Sequence, residues 1–365
     1  MLEPFALHVS DHDLADLRRR LRETRPPAPI PHPGWIAGAD AATVARLVRH
    51  WAGDFDWRAR EAEINALPQF TADVGGTRVH LVRLRGEGPE PLPIVLTHGW
   101  PSTFLELTAL GDRLARPGRY GGDPADAFDV VIPSLPGFAF SAPSRVPTHE
   151  LWHTLMHDVL GYRRYGAHGG DLGAGVSSRL AAYHPEAVVG LHLLAAMAPP
   201  DGPVTDEERA HVARTERWDA EEGGYQHLQR TRPLTPAHAL SDSPAGLLAW
   251  IAEKYRAWSD APDAFSDDEL LTQVSLYWFT NTIATSFLPY YDHRPFWRRI
   301  EVPTGIAVFP HDLARPPRSW VERTYRLSRY TAMPRGGHFA AHEEPALLAA
   351  DLTAFFRQRR TDYRS

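Results

Sequence analysis

An aspartate set among glycines, Gly169-Gly170-Asp171-Leu172-Gly173, is the first arrangement in this 365-residue chain whose residue types and spacing suit chemistry. It has the small-x-nucleophile-x-small form of a nucleophile elbow, with a carboxylate where a serine hydrolase carries a hydroxyl. Gly169 and Gly173 would relieve crowding as a strand turns sharply into a helix. The turn would push Asp171 into a cleft and aim nearby backbone N–H groups at it. A carboxylate that attacks carbon leaves an ester, which water must then cleave. The plainer reading of Asp171 is an N-cap for a helix starting at Ala174, a role Asp favours.

A second site is Gly336-Gly337-His338-Phe339, where two glycines before a histidine suit a tight loop that presents an imidazole. With 19 histidines in the chain, a single one carries little weight. His338 and His342 are four apart, as metal ligands on a helix would be, but no HExxH glutamate lies between them. A third site is Phe309-Pro310-His311-Asp312. An acid there could accept the second ring N–H of His338 and fix its tautomer, although any single Asp also reads as a solvated loop carboxylate. The order nucleophile, acid, histidine is the one α/β-hydrolases use. His98-Gly99-Trp100-Pro101 closes an earlier strand, and the backbone N–H groups of Trp100 and Leu172 are candidates for an oxyanion hole. No GxSxG occurs, which disfavours a serine esterase.

These residues need a scaffold that delivers loops to one edge. From Pro93 the chain alternates short apolar strands (PIVLT, DVVIP, RYGAHG, VVGLHLL, IAVFP, SRYTAM) with helices, which predicts a mostly parallel sheet with helices on both faces. Ligands bind beyond the carboxyl ends of such strands, where the motifs fall. Before it, Ser10 to Thr24 reads as a helix capped by Ser10 or Asp11, with Leu14, Leu17 and Leu21 at helical spacing and Pro26-Pro27 as a stop. Ala41 to Trp51 reads as a second helix and Arg58 to Leu67 as a candidate third. A strand pair follows at Phe70–Val74 and Val79–Arg85, joined by Gly75-Gly76. Between about Pro199 and Trp297 the pattern is helical, rich in Trp and Tyr, and without a convincing strand. The expected division is an N-terminal extension over 1–75, an α/β-hydrolase core over 76–198 and 298–365, and a helical lid over 199–297.

Composition sets outer limits. The chain is 43% hydrophobic and 23% charged, with a net charge of −6 and no cysteine. Disulfides, thiolate metal sites and cysteine nucleophiles are excluded. No basic stripe points to nucleic acid; the basic residues are almost all arginine, with Lys254 the exception. The N-terminus lacks a secretory pattern, and no apolar run of about eighteen residues occurs. A soluble, cytoplasmic enzyme is expected.

With HGWP, GGDLG, FPHD and GGHFAAHEEP in that order, and FDWRAREAEINALPQF before them, the chain resembles the microsomal-type epoxide hydrolases, which include the juvenile-hormone epoxide hydrolases. The likeness covers nearly its whole length. It implies Asp171 as nucleophile, Asp312 as charge-relay acid and His338 as the base that activates water. It implies no cofactor and no metal, a small epoxide and water as the reactants, and an N-terminal segment that wraps the core. It also implies two lid tyrosines that donate to the epoxide oxygen: GGYQHLQ places the first on Tyr225, and LYWFTNTIATSFLPYY places the second on Tyr290. Phenols suit that task, because an alkoxide is a poor leaving group and an acid beside it lowers the barrier. Otherwise the two rings would simply pack the lid, as Tyr277 and Tyr291 could.

Three features depart from the family pattern. Leu172 stands where Trp is usual after the nucleophile, and Leu288 where Arg is usual two residues before the second tyrosine. The membrane anchor of the animal enzymes is missing, which fits a soluble bacterial version. Two other readings share the scaffold: a haloalkane dehalogenase, which also uses an Asp nucleophile but needs halide-binding donors in place of phenols, and a non-catalytic ligand-binding protein. Substrate identity and oligomeric state are not written in the motifs.

Overall fold

Runs such as Leu92–Thr97 and Phe128–Pro133 are buried at every position. Strands of that kind require cover on both faces, which helices flanking a parallel sheet provide. The computed structural model describes residues 1–32 and 34–360, so the last five residues of the expected core segment lie outside the described residues. The strands in chain order are β1 (Glu3–Pro4), β2 (Gln69–Val74), β3 (Thr77–Leu84), β4 (Leu92–Thr97), β5 (Phe128–Pro133), β6 (Tyr165–Gly169), β7 (Val188–Leu193), β8 (Ile300–Val308) and β9 (Tyr325–Ala332). They form one nine-stranded sheet in the order β1-β2-β3-β5-β4-β6-β7-β8-β9. From β5 to β9 every pairing is parallel, while β1, β2 and β3 join antiparallel at one edge. This is the α/β-hydrolase architecture. The β2–β3 hairpin turns at Gly75 and Gly76, both left-handed, as the pair in the sequence predicts.

Parallel order puts the carboxyl ends of β4, β6, β8 and β9 on one rim, and the four motifs leave the sheet there. A parallel bridge between His311 and Gly337 continues the β8–β9 pairing past the strand ends and draws the acid loop against the histidine loop.

Over the rim lie the helices Asp206–Glu222, Gly224–Thr231, Leu234–Asp242, Pro244–Trp258 and Asp267–Thr280, with no strand among them. The N-terminal helices Asp11–Arg22, Ala41–Ala52 and Trp57–Asn65 dock on these. Ser10 caps the first, accepting from the Asp13 N–H, while Leu14, Leu17 and Leu21 form its buried stripe. Arg20 pairs with Asp242 at 3.0 Å, His50 with Asp268 at 2.7 Å, and the Trp51 indole donates to Ser275 Oγ at 3.0 Å. Trp57 packs on Phe279 with ring centroids 4.8 Å apart. The N-terminal segment is thus a strap across the helical layer. No helix among the described residues is long and apolar enough to cross a membrane.

Candidate active site

Asp171 opens the helix Asp171–Tyr183 directly after β6, with φ of +47°, a left-handed value that L-residues adopt only under constraint. The constraint is crowding at the elbow. A Cβ at Gly169 would lie 2.3 Å from the Gly173 carbonyl oxygen, and one at Gly173 would lie 2.1 Å from that of Thr97. Only glycine fits at either place. The N-cap of the helix is Gly170 rather than a side chain, so the plainer reading of Asp171 as a cap fails. Its carboxylate leaves its own helix and accepts the Trp100 N–H on Oδ1 at 2.8 Å.

The other carboxylate oxygen faces the histidine. His338 Nε2 stands 3.6 Å from Asp171 Oδ2, and its Nδ1 donates to Asp312 Oδ1 at 2.7 Å. The ring is fixed from behind: the His338 N–H donates to the Trp258 carbonyl at 2.9 Å, and Trp258 meets the imidazole edge-on. Burial disfavours the imidazolium, but the Asp312 carboxylate, its hydrogen bond, and the nearby Asp171 and Glu106 outweigh that and raise the pKa to about 9. His342 turns elsewhere. Its ring stacks on Phe265 and its Nε2 lies 3.8 Å from Glu269, so it does not converge with His338.

Tyr225 and Tyr290 face the same centre from the helical layer. Tyr225 stacks on the Trp100 indole at 5.0 Å and 7°, Tyr290 meets that indole edge-on at 6.0 Å, and the two phenols hydrogen-bond to each other. Burial and the Asp171 charge raise the pKa of both, so they remain protonated donors. Tyr277 instead donates to the Ser102 carbonyl, and Tyr291 is more than half exposed. Leu172 and Leu288 both line the cavity. The Trp100 indole is engaged with Ser286 Oγ at 3.3 Å, which uses up the donor a halide site would need.

Two spaces meet at Asp171. One is a cavity of about 1750 Å³ under the helical layer, lined by Leu172, Tyr225, Tyr290 and His338 among others. The other is a chamber of about 20 Å³ behind the nucleophile, with room for a water molecule. Its walls include His98, Ser102, Glu106, His168 and His338, of which sequence reasoning named only His98 (within HGWP) and His338. Glu106 accepts from the Ser102 hydroxyl, and burial raises its pKa to about 7 despite that bond and His338. His98 accepts the Leu135 N–H on Nε2 while its Nδ1 faces the Gly99 carbonyl, so it is neutral and both nitrogens are occupied. His168 is held through Nδ1 by His192, which in turn bonds Asp351 at 3.0 Å. A lone Glu in FLELTAL and a His immediately before the elbow glycines carry no motif that would have marked them.

A carboxylate, an oriented imidazole, two phenols and a water-sized chamber have the chemistry to open a strained ether and hydrolyse an ester. Comparison with known proteins shows the family. Residues 2–107 match the family described as epoxide hydrolase N terminus, and residues 93–220 match the alpha/beta hydrolase fold. The chain is 39% identical over 379 residues to a Stigmatella aurantiaca protein assigned to the epoxide hydrolases, covering 98% of this chain and 86% of that one. It is 32% identical over 412 residues to epoxide hydrolase 1 of Oryctolagus cuniculus, covering 97% and 88%. In structure it is similar to the Aspergillus niger epoxide hydrolase, with TM-score 0.86, 34% identity and coverage of 98% and 96%. The juvenile hormone epoxide hydrolase of Bombyx mori superposes with TM-score 0.90 at 27% identity, covering 99% and 95%.

Proposed function

The chain belongs to the epoxide hydrolases of the microsomal and juvenile-hormone type, and from that premise we propose that it opens epoxides to vicinal diols through an ester on Asp171. The observation that carries the reading is the division of the Asp171 carboxylate: Oδ1 is held by the Trp100 N–H, and Oδ2 is left facing His338 and the cavity. Oδ2 attacks a ring carbon, the carbon–oxygen bond breaks, and the ring oxygen takes its proton from the Tyr225–Tyr290 pair. Oδ1 becomes the ester carbonyl, already seated on a donor that stabilises the tetrahedral oxyanion. The Leu172 N–H, next in the chain, is the second candidate donor.

Ester formation removes the Asp171 charge, one of the causes that hold the His338 proton. The imidazolium then becomes more acidic, gives up its Nε2 proton to solvent and is free to act as a base at the moment one is needed, while Asp312 keeps its tautomer. Water deprotonated by His338 Nε2 attacks the ester carbon. Collapse releases the diol with the former Oδ2 and leaves the water oxygen on Asp171. The helical segment 199–297 acts as the lid of this site, and 1–75 as its strap.

Isotope labelling tests the covalent route. With enzyme in excess in water enriched in heavy oxygen, the first diol should carry light oxygen and Asp171 should gain the label. Heavy oxygen in the first-turnover diol, with Asp171 unlabelled, would reduce Asp171 to a general base.

A further inference from the structure

The helix that begins with the nucleophile continues as one wall of the substrate cavity. Asp171, Gly175, Arg179 and Tyr183 recur every fourth residue and so share a face, with Leu172 and Val176 beside them, and all six line the cavity. Arg179 lies eight residues beyond Asp171, about 12 Å along the axis at 1.5 Å per residue. Helical side chains lean toward the N-terminus, and this one does. Its Nη1 lies 3.7 Å from the point a Cβ on Gly175 would occupy, so the guanidinium is folded back a turn toward the nucleophile.

Arg179 is positioned but not neutralised. Its Nη2 donates to the Arg294 carbonyl at 2.7 Å, and its Cζ lies 4.8 Å from the centre of the Phe296 ring. Among the described residues no carboxylate lies within 4.0 Å of it. Half-buried, the guanidinium has its pKa lowered by desolvation. The neighbouring His149 and His293, which also line the cavity, have theirs lowered first by burial; Arg179 lowers both further, while Glu150 opposes the fall at His149. Lowered pKa values keep both histidines neutral, so Arg179 is the charged group among the three, and neither Glu216 nor Asp292, which also line the cavity, is among the groups that shift its pKa. The stretch of helix between Arg179 and Asp171 is apolar or bare: Leu172, Gly175 and Val176.

We propose that Arg179 is a substrate-binding residue, and that the preferred substrates are epoxides bearing a carboxylate one to two helical turns from the ring. A guanidinium with free donors on a partly desolvated wall pairs with a carboxylate through two parallel hydrogen bonds. Leu172 and Val176 would cover the alkyl segment between the two ends. The inference rests on the Asp171 reading above, because that residue fixes where the ring must sit.

The test is a series of terminal epoxides of increasing chain length, each as the free carboxylate and as its methyl ester. At the best-fitting length the wild type should favour the acid by about tenfold or more in kcat/KM, mainly through KM. Arg179→Gln should bring the acid-to-ester ratio close to one, and Arg179→Lys should restore part of it. A wild-type ratio near one at every length, or the same ratio in Arg179→Gln, overturns the assignment. Calorimetric binding of the diol acid and the diol ester separates this from the reaction itself. If no epoxide is hydrolysed, the Asp171 reading falls, whereas tenfold tighter binding of the diol acid that is lost in Arg179→Gln still supports the carboxylate site. Equal binding of the two diols counts against it.

Discussion

His338 lies between two carboxylates with different fates, Asp312 at 2.7 Å on one ring nitrogen and Asp171 at 3.6 Å on the other. In the proposed cycle Asp312 keeps its charge, whereas Asp171 loses its charge on becoming an ester. His338 is thus needed as a base only in the second half, and His338→Gln should form the ester and stall. Intact-protein mass should show an adduct of substrate mass, and a variant that binds epoxide without any adduct would contradict this division. Burial works against the His338 charge, and the Asp312 carboxylate is the largest influence that raises its pKa. Asp312→Asn leaves burial in place and removes the charge, so the pKa must fall. Single-turnover ester hydrolysis, which rises with pH as His338 deprotonates, should have its inflection below 9 in the wild type and lower still in Asp312→Asn. It should also be slower at the plateau by tenfold or more, because the tautomer is no longer held. An inflection that does not move would mean a group other than His338 titrates.

At the scale of elements, the N-terminal helices hold the helical layer over the site. Trp51 is 2% exposed and its indole bonds Ser275 in the middle of Asp267–Thr280. That helix carries Gln273, which accepts from Thr103 just after the HGWP segment. Trp51→Ala should cost about 3–5 kcal/mol by cavity formation. Hydrogen exchange should quicken first in Asp267–Thr280 and only later in the sheet, and uniform quickening would show that the strap serves the whole fold instead. The strap helices were legible in the sequence because Leu14, Leu17 and Leu21 mark a buried face. Their partner was not legible, since period reveals that a face is covered and not by what. The resemblance implied a segment that wraps the core; its start pairs with β2 and packs Phe5 on His80 and Phe140, while Arg20, His50, Trp51 and Trp57 reach the helical layer. The same limit applies at the site. Asp171, Asp312 and His338 stand beside glycines or at strand ends in a recognisable order, while Glu106, His168 and Arg179 sit in helices or strands whose local pattern is ordinary. They become visible only when the sheet order stacks β4 beside β6 and the elbow helix runs along the cavity.

Taken over the whole molecule, buried histidines of opposite character give stability a maximum in pH. His80, His98 and His168 are buried and neutral, with pKa values lowered by desolvation, to about 3 for His80, about 4 for His98, and well below the ordinary range for His168. As pH falls below their unfolded value of about 6.5, the unfolded chain takes up three protons that the folded protein refuses. Stability contributed by these groups is therefore present above about 6.5 and lost on acidification. Glu106, raised to about 7 by burial, opposes them with one proton held in the folded state. Among these four groups the balance is about two protons, and at about 1.4 kcal/mol per proton per pH unit they contribute a fall of about 3 kcal/mol per unit to the acid limb. His338 acts in the other direction. With a folded pKa of about 9, its contribution is complete below about 6.5 and disappears as pH rises to 9, about 1.4 kcal/mol per unit. Urea unfolding at pH 5.5, 6.5 and 8.5 should therefore show greatest stability near 6.5, with the steeper loss on the acid side. In His338→Gln the alkaline limb should flatten while the acid limb persists. Stability that climbs from pH 6.5 to 8.5 would mean that His338 is not held protonated between its carboxylates, and would remove the charge argument for its change of role during turnover.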